Sequence, residues 1–242
     1  MEYRDFNRVV NEVDNSSSWG VPSLTFSSLM QKVYTWMTLA LIITGVTAYG
    51  VASSPSVLSL LGNQLVFWGL IIAEFALVFM ITGMLNRISL TTATLMFVAY
   101  SVVNGAVLSS IFLIYTMNSI GQVFFITAAT FGVMAFIGYT TKTDLTSMGK
   151  ILFMALIGII IATVVNIFVG STGLQTVVSY LGVLIFVGLT AYDSQKIKRM
   201  LYDYEGNDEG GQKLALVGAL TLYLDFINLF IYLLRILGSR RD

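Results

Sequence analysis

The chain of 242 residues is 56% hydrophobic and only 11% charged, with a mean hydropathy of +0.82, whereas a soluble domain carries about 25% charged residues. This composition indicates an all-α integral membrane protein. Thirteen basic and thirteen acidic residues cancel, and no basic tract suggests a nucleic-acid partner. The absence of Cys and His excludes disulfides, thiol nucleophiles and histidine-based catalysis or metal binding.

The chain begins with a polar segment and continues with seven apolar runs. Residues 1–32 mix charges and contain breakers such as Pro22, so they predict a cytosolic N-terminal tail rather than a signal peptide. A helix needs about 20 residues to cross about 30 Å of hydrocarbon. Residues 33–242 therefore predict one seven-helix transmembrane domain, with spans near 33–52, 64–84, 91–115, 120–140, 149–170, 175–197 and 213–236.

The basic residues predict the orientation of this bundle. If the N-terminus is cytoplasmic, the external loops at 53–63, 116–119 and 171–174 contain no Lys or Arg, as the positive-inside rule requires. The pattern fails after the seventh span, where Arg235, Arg240 and Arg241 follow. Either seven spans place this short tail outside, or the last segment re-enters and the tail stays inside. The last apolar run is long enough to cross, which favours seven spans and an external C-terminus.

Polar residues in the last span recur with helical spacing. Steps of 4, 3, 4 and 3 residues connect Thr221, Asp225, Asn228, Tyr232 and Arg235, which places them on one face of a helix. The other faces are Leu, Ile and Phe. Because a polar face avoids lipid, we expect it to contact protein or water, with the C-terminal helix central in the bundle.

Two aspartates lie where a carboxylate is costly. Asp193 follows Tyr192 near the end of the sixth span, and Asp225 lies in the middle of the seventh. A charged group at the centre of a membrane helix costs roughly 3 kcal/mol on insertion scales and usually marks an ion or proton path. Two nearby carboxyl groups cannot both ionise cheaply, so they would share a proton. Losing that proton would open a gate or create a calcium site, since calcium prefers oxygen ligands.

The predicted spans leave the two aspartates at different depths. Asp193 lies about 4 residues from the inner boundary and Asp225 about 11, a mismatch of roughly 10 Å. Tilt, a deeper sixth helix or a water-filled vestibule would close this gap. Without one of these, the two aspartates do not form a pair. An isolated Asp193 would then mark the end of its helix.

Other polar residues in or near the spans have two interpretations each. Arg87 follows the second span, where it is either a topological anchor or the closed-state ion-pair partner of Asp193. Glu74, within the second span, is either a protonated packing group or part of the same path. Asn104 and Asn166, in the third and fifth spans, favour hydrogen bonds between helices over ligand binding.

The run from Gly218 to Phe230 with Leu233-Leu234-Arg235 resembles the C-terminal signature of the Bax inhibitor 1 (TMBIM) family. The segment from Ala191 to Ile197 resembles the sixth-helix motif of that family. The resemblance implies seven helices, with the last surrounded by the other six. It also implies a proton-sensitive calcium leak gated by Asp193 and Asp225, one of them paired with an arginine that matches Arg87. Family relatives carry a basic cluster there, whereas Arg87 stands alone.

The resemblance also suggests possible partners and alternative functions. Relatives include cell-death suppressors and bacterial proteins that interact with a membrane-bound AAA protease, so a regulatory scaffold in a stress pathway is the alternative function. The short tail and compact loops favour a bacterial inner-membrane protein. We expect no enzyme activity and no cofactor, with calcium ions and protons as the small partners. An intramembrane aspartyl protease is a minor alternative, because its Gly-x-Gly-Asp and Pro-Ala-Leu motifs are missing.

Overall fold

The computed structural model describes residues 24–204 and 208–241. Within these residues, seven helices are long and apolar enough to cross a membrane, which confirms the predicted all-α multi-pass class. We number only these spanning helices: α1 (Leu24–Ala52), α2 (Gln64–Gly83), α3 (Leu90–Leu108), α4 (Met117–Thr140), α5 (Thr146–Val169), α6 (Thr172–Tyr202) and α7 (Glu209–Leu237). Residues 1–23 of the predicted N-terminal tail lie outside the described residues.

Two helices extend beyond their predicted spans. Helix α1 begins at Leu24 rather than near residue 33, and α6 continues to Tyr202 rather than ending near residue 197. In both extensions apolar side chains remain buried, with Leu29 and Leu201 each 0% exposed. Hydropathy windows underestimate such helices, because polar residues on the solvent side of a packed turn lower the average.

The last helix is the most deeply packed of the seven. Helix α7 contacts α6, α1, α4 and α3, and 67% of its span is buried, against 6% for α2 and for α5. The predicted central position of the C-terminal helix is therefore confirmed. Helix α2 packs mainly on α3, and α5 packs mainly on α6, so the full ring of six neighbours implied by the family resemblance stays a prediction.

Two glycines allow the helices around α7 to approach closely. A side chain at Gly138 in α4 would meet the backbone of Ala191 in α6, and one at Gly105 in α3 would meet the backbone of Thr44 in α1. Small residues at membrane helix interfaces permit this kind of backbone contact. The two contacts hold α6 and α1 against the elements that frame the central helix.

The C-terminal tail shows that α7 crosses the whole bundle. The Ser239 carbonyl accepts a hydrogen bond from the Thr116 amide (3.1 Å), and the Arg241 amide donates to the Ile114 carbonyl (2.9 Å). Residues 114–116 connect α3 to α4 at the end opposite the predicted cytoplasmic loops. The tail therefore lies at that opposite end, as the seven-span alternative predicted, and not beside the loop that precedes α7.

Candidate functional site: a buried acid pair beside the central helix

A cavity of about 900 Å³ lies between α5, α6 and α7. Helix α7 gives this cavity the residues of its predicted polar face, Thr221, Asp225, Asn228 and Tyr232. The hydroxyl of Thr221 donates to the Val217 carbonyl (3.0 Å), and the Asn228 amide donates to the Leu224 carbonyl (2.8 Å). These bonds satisfy donors within the helix, while the same side chains still border the cavity.

Asp193 and Asp225 meet in the wall of this cavity. They are 9% and 5% exposed, and their carboxyl groups lie close enough to interact electrostatically. In the described part of the chain, the Oδ2 atom of Asp225 is a buried side-chain oxygen with no hydrogen-bond partner. A buried polar group without a partner costs free energy, so this oxygen is an acceptor available to a proton or a cation.

The helix register explains how the two aspartates reach each other. Gly218 of α7 lies against Ile197 of α6, and the ring of Tyr232 lies against Gly182. In this antiparallel register Asp193 stands within about one helical turn of Asp225. The continuation of α6 to Tyr202 sets Asp193 deeper in its helix than the predicted span did, which is the deeper sixth helix considered above.

A lysine to which the sequence analysis assigned no role, Lys196, lies beside the acid pair. Lys196 acts electrostatically on both carboxyl groups and borders the same cavity. Its ammonium group lies 5.9 Å from the ring centroid of Tyr192. The signal for it was present in the sequence, because residues three apart on a helix share a face. Lys150 of α5 also borders this cavity.

The structure does not bring Arg87 to the acid pair. Arg87 ends a short 3-10 helix after α2 and is exposed, and α2 packs mainly on α3, away from α6. Between described residues, the ion pairs are Arg199 with Asp144 and Lys213 with Glu209. The ion pair of Arg87 with Asp193 is therefore absent from this structure, and a gating role for Arg87 stays a prediction.

Glu74 and Asn104 belong to a second polar cluster on another side of α7. The Asn104 amide donates to Glu74 (2.8 Å), and the Tyr223 hydroxyl donates to Asn104 (3.1 Å). The Thr44 hydroxyl lies 2.7 Å from the Tyr223 hydroxyl and 3.0 Å from the Ser101 carbonyl; with Tyr223 donating to Asn104, the single Thr44 proton serves these two acceptors. This cluster connects α1, α2, α3 and α7. The structure therefore places Glu74 in this cluster and outside the residues that line the acid-pair cavity.

Asn166 lies beyond the acid pair along the same side of the bundle. Its side-chain oxygen accepts a hydrogen bond from the Ser171 amide (3.0 Å), so it closes the turn between α5 and α6 rather than joining two helices at mid-membrane. Asn166 and Arg235 border a smaller cavity of about 310 Å³. Tyr232 precedes Arg235 by one turn, and its ring stacks on Phe186 with centroids 5.8 Å apart.

Carboxylate ligands for a metal ion are few. Over residues 24–204 and 208–241, no three or more His, Cys, Asp or Glu side chains converge. A hard cation at Asp193 and Asp225 would therefore find two carboxyl groups and would need water for its remaining ligands, since calcium takes 6–8 oxygens.

The fold and this site define a class: a multi-pass helical membrane protein with a buried carboxyl pair beside its most buried helix. Residues 26–242 match the family model described as "Inhibitor of apoptosis-promoting Bax1", and the chain belongs to that family. It is similar to the "Inner membrane protein YbhL" of Escherichia coli K12, with 48% identity over 91% of this chain and 95% of the relative. A Borreliella burgdorferi protein is 48% identical over 89% of this chain and 94% of its own length. The protein RP147 of Rickettsia prowazekii is 48% identical over 88% and 90%.

Proposed function

We propose that this protein is a pH-sensitive cation leak of the bacterial inner membrane, with calcium as its main permeant ion and Asp193 and Asp225 as its gate. The observation that supports this most directly is the carboxyl pair in the wall of a cavity of about 900 Å³, with one Asp225 oxygen lacking a partner. The name of the E. coli relative supports the membrane assignment.

The proposed gate depends on the number of protons the pair holds. With a shared proton, one carboxyl group donates to the other and the pair stays compact. Without it, two negative charges face Lys196 and Lys150, the cations that border the cavity. The two carboxylates then repel each other or bind a divalent cation. Tyr192 and Tyr232 also border the cavity.

Tyr232 is the proposed barrier between this cavity and the opposite end of the bundle. Its ring packs between Gly182 and Phe186, one turn before the smaller cavity bordered by Arg235. An ion leaving the acid pair in that direction has to pass this ring. Tyr232→Ala should therefore raise the leak at every pH while keeping its pH profile.

The test is calcium flux into liposomes that contain the purified protein, measured from about pH 5 to about pH 8. Asp193→Asn and Asp225→Asn should each change the pH profile, and the double variant should be non-additive, because groups that share one proton cannot contribute independently. Glu74→Gln is the matched control, since it neutralises a membrane carboxyl group outside the acid-pair cavity. A wild-type profile in both single variants would mean that the aspartates are structural.

Arg87 provides a second variant in the same assay. If Arg87 meets Asp193 in another closed conformation, Arg87→Ala should raise the basal leak and flatten the pH dependence, and Arg87→Lys should restore most of it. An unchanged leak would return Arg87 to the role of topological anchor. If wild-type vesicles show no flux at all, co-purification with a membrane-bound AAA protease tests the regulatory alternative, and peptide cleavage tests the aspartyl protease.

A further inference from the structure

Arginines collect at the end of the bundle where α7 finishes. Arg235 borders two polar cavities of about 310 and 270 Å³, and Arg240 borders the second of them. Among described residues, no acidic side chain lies in the connections at this end, which are 53–63, 109–116, 170–171 and 238–241. Both arginines are exposed, and among the described residues neither forms an ion pair, in contrast to Arg199, which pairs with Asp144.

The donors of these two arginines lack protein acceptors in the described part of the chain. The guanidinium carbon of Arg235 lies 5.4 Å from the ring centroid of Tyr232, and an aromatic ring brings no negative charge to neutralise it. The other side chains of the cavities do not supply a negative charge. The hydroxyls of Thr176 and Ser179 donate to backbone carbonyls of their own helix and are neutral, so they do not balance the charge of Arg235.

Helix α6 adds a third positive contribution. It begins at Thr172 with no acidic residue in its first turn, and Gln175 from that turn borders both cavities. The start of a helix carries a partial positive charge. The two guanidinium groups and the start of α6 therefore all contribute positive potential to the cavity of about 270 Å³. Arginine forks match phosphate oxygens in a two-bond geometry.

We propose that Arg235 and Arg240, with the first turn of α6, form a binding site for a phosphate group. Arg235 lies two residues before the end of α7, so the site stands where a spanning helix meets the headgroup region. The phosphate comes either from a phospholipid headgroup or from free inorganic phosphate, which share the chemistry recognised here. The site also accounts for two of the three arginines that break the charge asymmetry of the loops, and it does not depend on the proposed leak.

The test measures thermal unfolding of the full-length protein in a non-ionic detergent. Two probes are used, inorganic phosphate and a soluble short-chain phosphatidylglycerol, each against chloride at matched ionic strength. At about tenfold excess over Kd, a ligand that binds only the folded state should raise Tm by about 3–6 °C. Arg235→Gln with Arg240→Gln should weaken the apparent affinity by about tenfold or more. Lys142→Gln, which removes an exposed charge at the opposite end, should leave the affinity unchanged.

The two probes separate the sources of the phosphate. Stabilisation by both probes supports a general phosphate site, and stabilisation by phosphatidylglycerol alone supports a lipid headgroup. A gain that is equal in wild type and in the double Gln variant is the general effect of an excluded salt and overturns the proposal. If the Gln variants do not fold, Arg235→Lys with Arg240→Lys keeps the charge, and native mass spectrometry of wild type must show a bound phosphate or phospholipid. Absence of both species from wild type also overturns the proposal.

Discussion

The hydrogen bond between Thr44 and Tyr223 gives a quantitative test of how the central helix is held. The two oxygens lie 2.7 Å apart, and the side chains are 3% and 0% exposed. Thr44→Val and Tyr223→Phe remove one hydroxyl each and leave the shapes of the side chains almost unchanged. The substitutions therefore probe polar contact between α1 and α7 with little effect on packing.

The size of the expected stability loss depends on which hydrogen bonds each remaining hydroxyl can still make. After Thr44→Val the Tyr223 hydroxyl can donate to Asn104, and after Tyr223→Phe the Thr44 hydroxyl can donate its one proton to the Ser101 carbonyl. No buried hydroxyl is stranded in either single variant. Hydrogen bonds between membrane helices contribute about 0.6 kcal/mol on average and at most about 1.7 kcal/mol. We expect each substitution to lower the free energy of unfolding by about 0.5–1 kcal/mol, with a coupling of about 0.6 kcal/mol between them.

The assay is reversible unfolding in mixed micelles of increasing denaturing-detergent fraction, followed by tryptophan fluorescence, for wild type, both single variants and the double variant. Thr38→Val is the matched control, because its hydroxyl donates to the Tyr34 carbonyl of the same helix and not to another helix. Calcium flux should stay at the wild-type level in all of them, because neither Thr44 nor Tyr223 borders the acid-pair cavity. A coupling near zero, or a loss above about 2 kcal/mol in one single variant, would refute this account of the cluster.

Two further predictions concern the ends of the bundle. Hydrogen bonds from the Thr146 hydroxyl and amide, and then the contact with Arg199, lower the pKa of the exposed Asp144 from 3.8 to about 2. The ionised Asp144 therefore stabilises the α4–α5 loop. This stabilisation is complete above the ordinary pKa and is lost as the pH falls through about 2. Asp144→Asn should mimic the protonated carboxyl group, so amide hydrogen exchange in that loop should be faster than in wild type at neutral pH. Unchanged exchange would show that the Asp144–Arg199 contact does not stabilise the loop. For topology, a membrane-impermeant thiol reagent added outside intact cells should label Arg240→Cys and leave Asp144→Cys unlabelled in this Cys-free chain; the reverse pattern would invert the predicted orientation.

The sequence determined the number of spans and the face that the last helix presents. Hydropathy and length are local quantities, so they predicted seven crossings to within a few residues at most boundaries. The polar face from Thr221 to Tyr232 follows from the 3.6-residue period alone, and the same residues border the cavity in the structure. The cost of a carboxylate in a membrane helix predicted that Asp193 and Asp225 act together, and the family signature pointed to the same two residues.

Only the tertiary structure decided which polar groups meet. Whether Asp193 reaches Asp225 depends on the register of two antiparallel helices, which is set by contacts such as Gly218 with Ile197. Such contacts are set by three-dimensional packing and leave no period in the sequence. In the structure Glu74 likewise accepts a hydrogen bond from Asn104, and Lys196, rather than Arg87, interacts with the acid pair. A single helix fixes which residues share its face, but the neighbour of that face is fixed by how the helices pack.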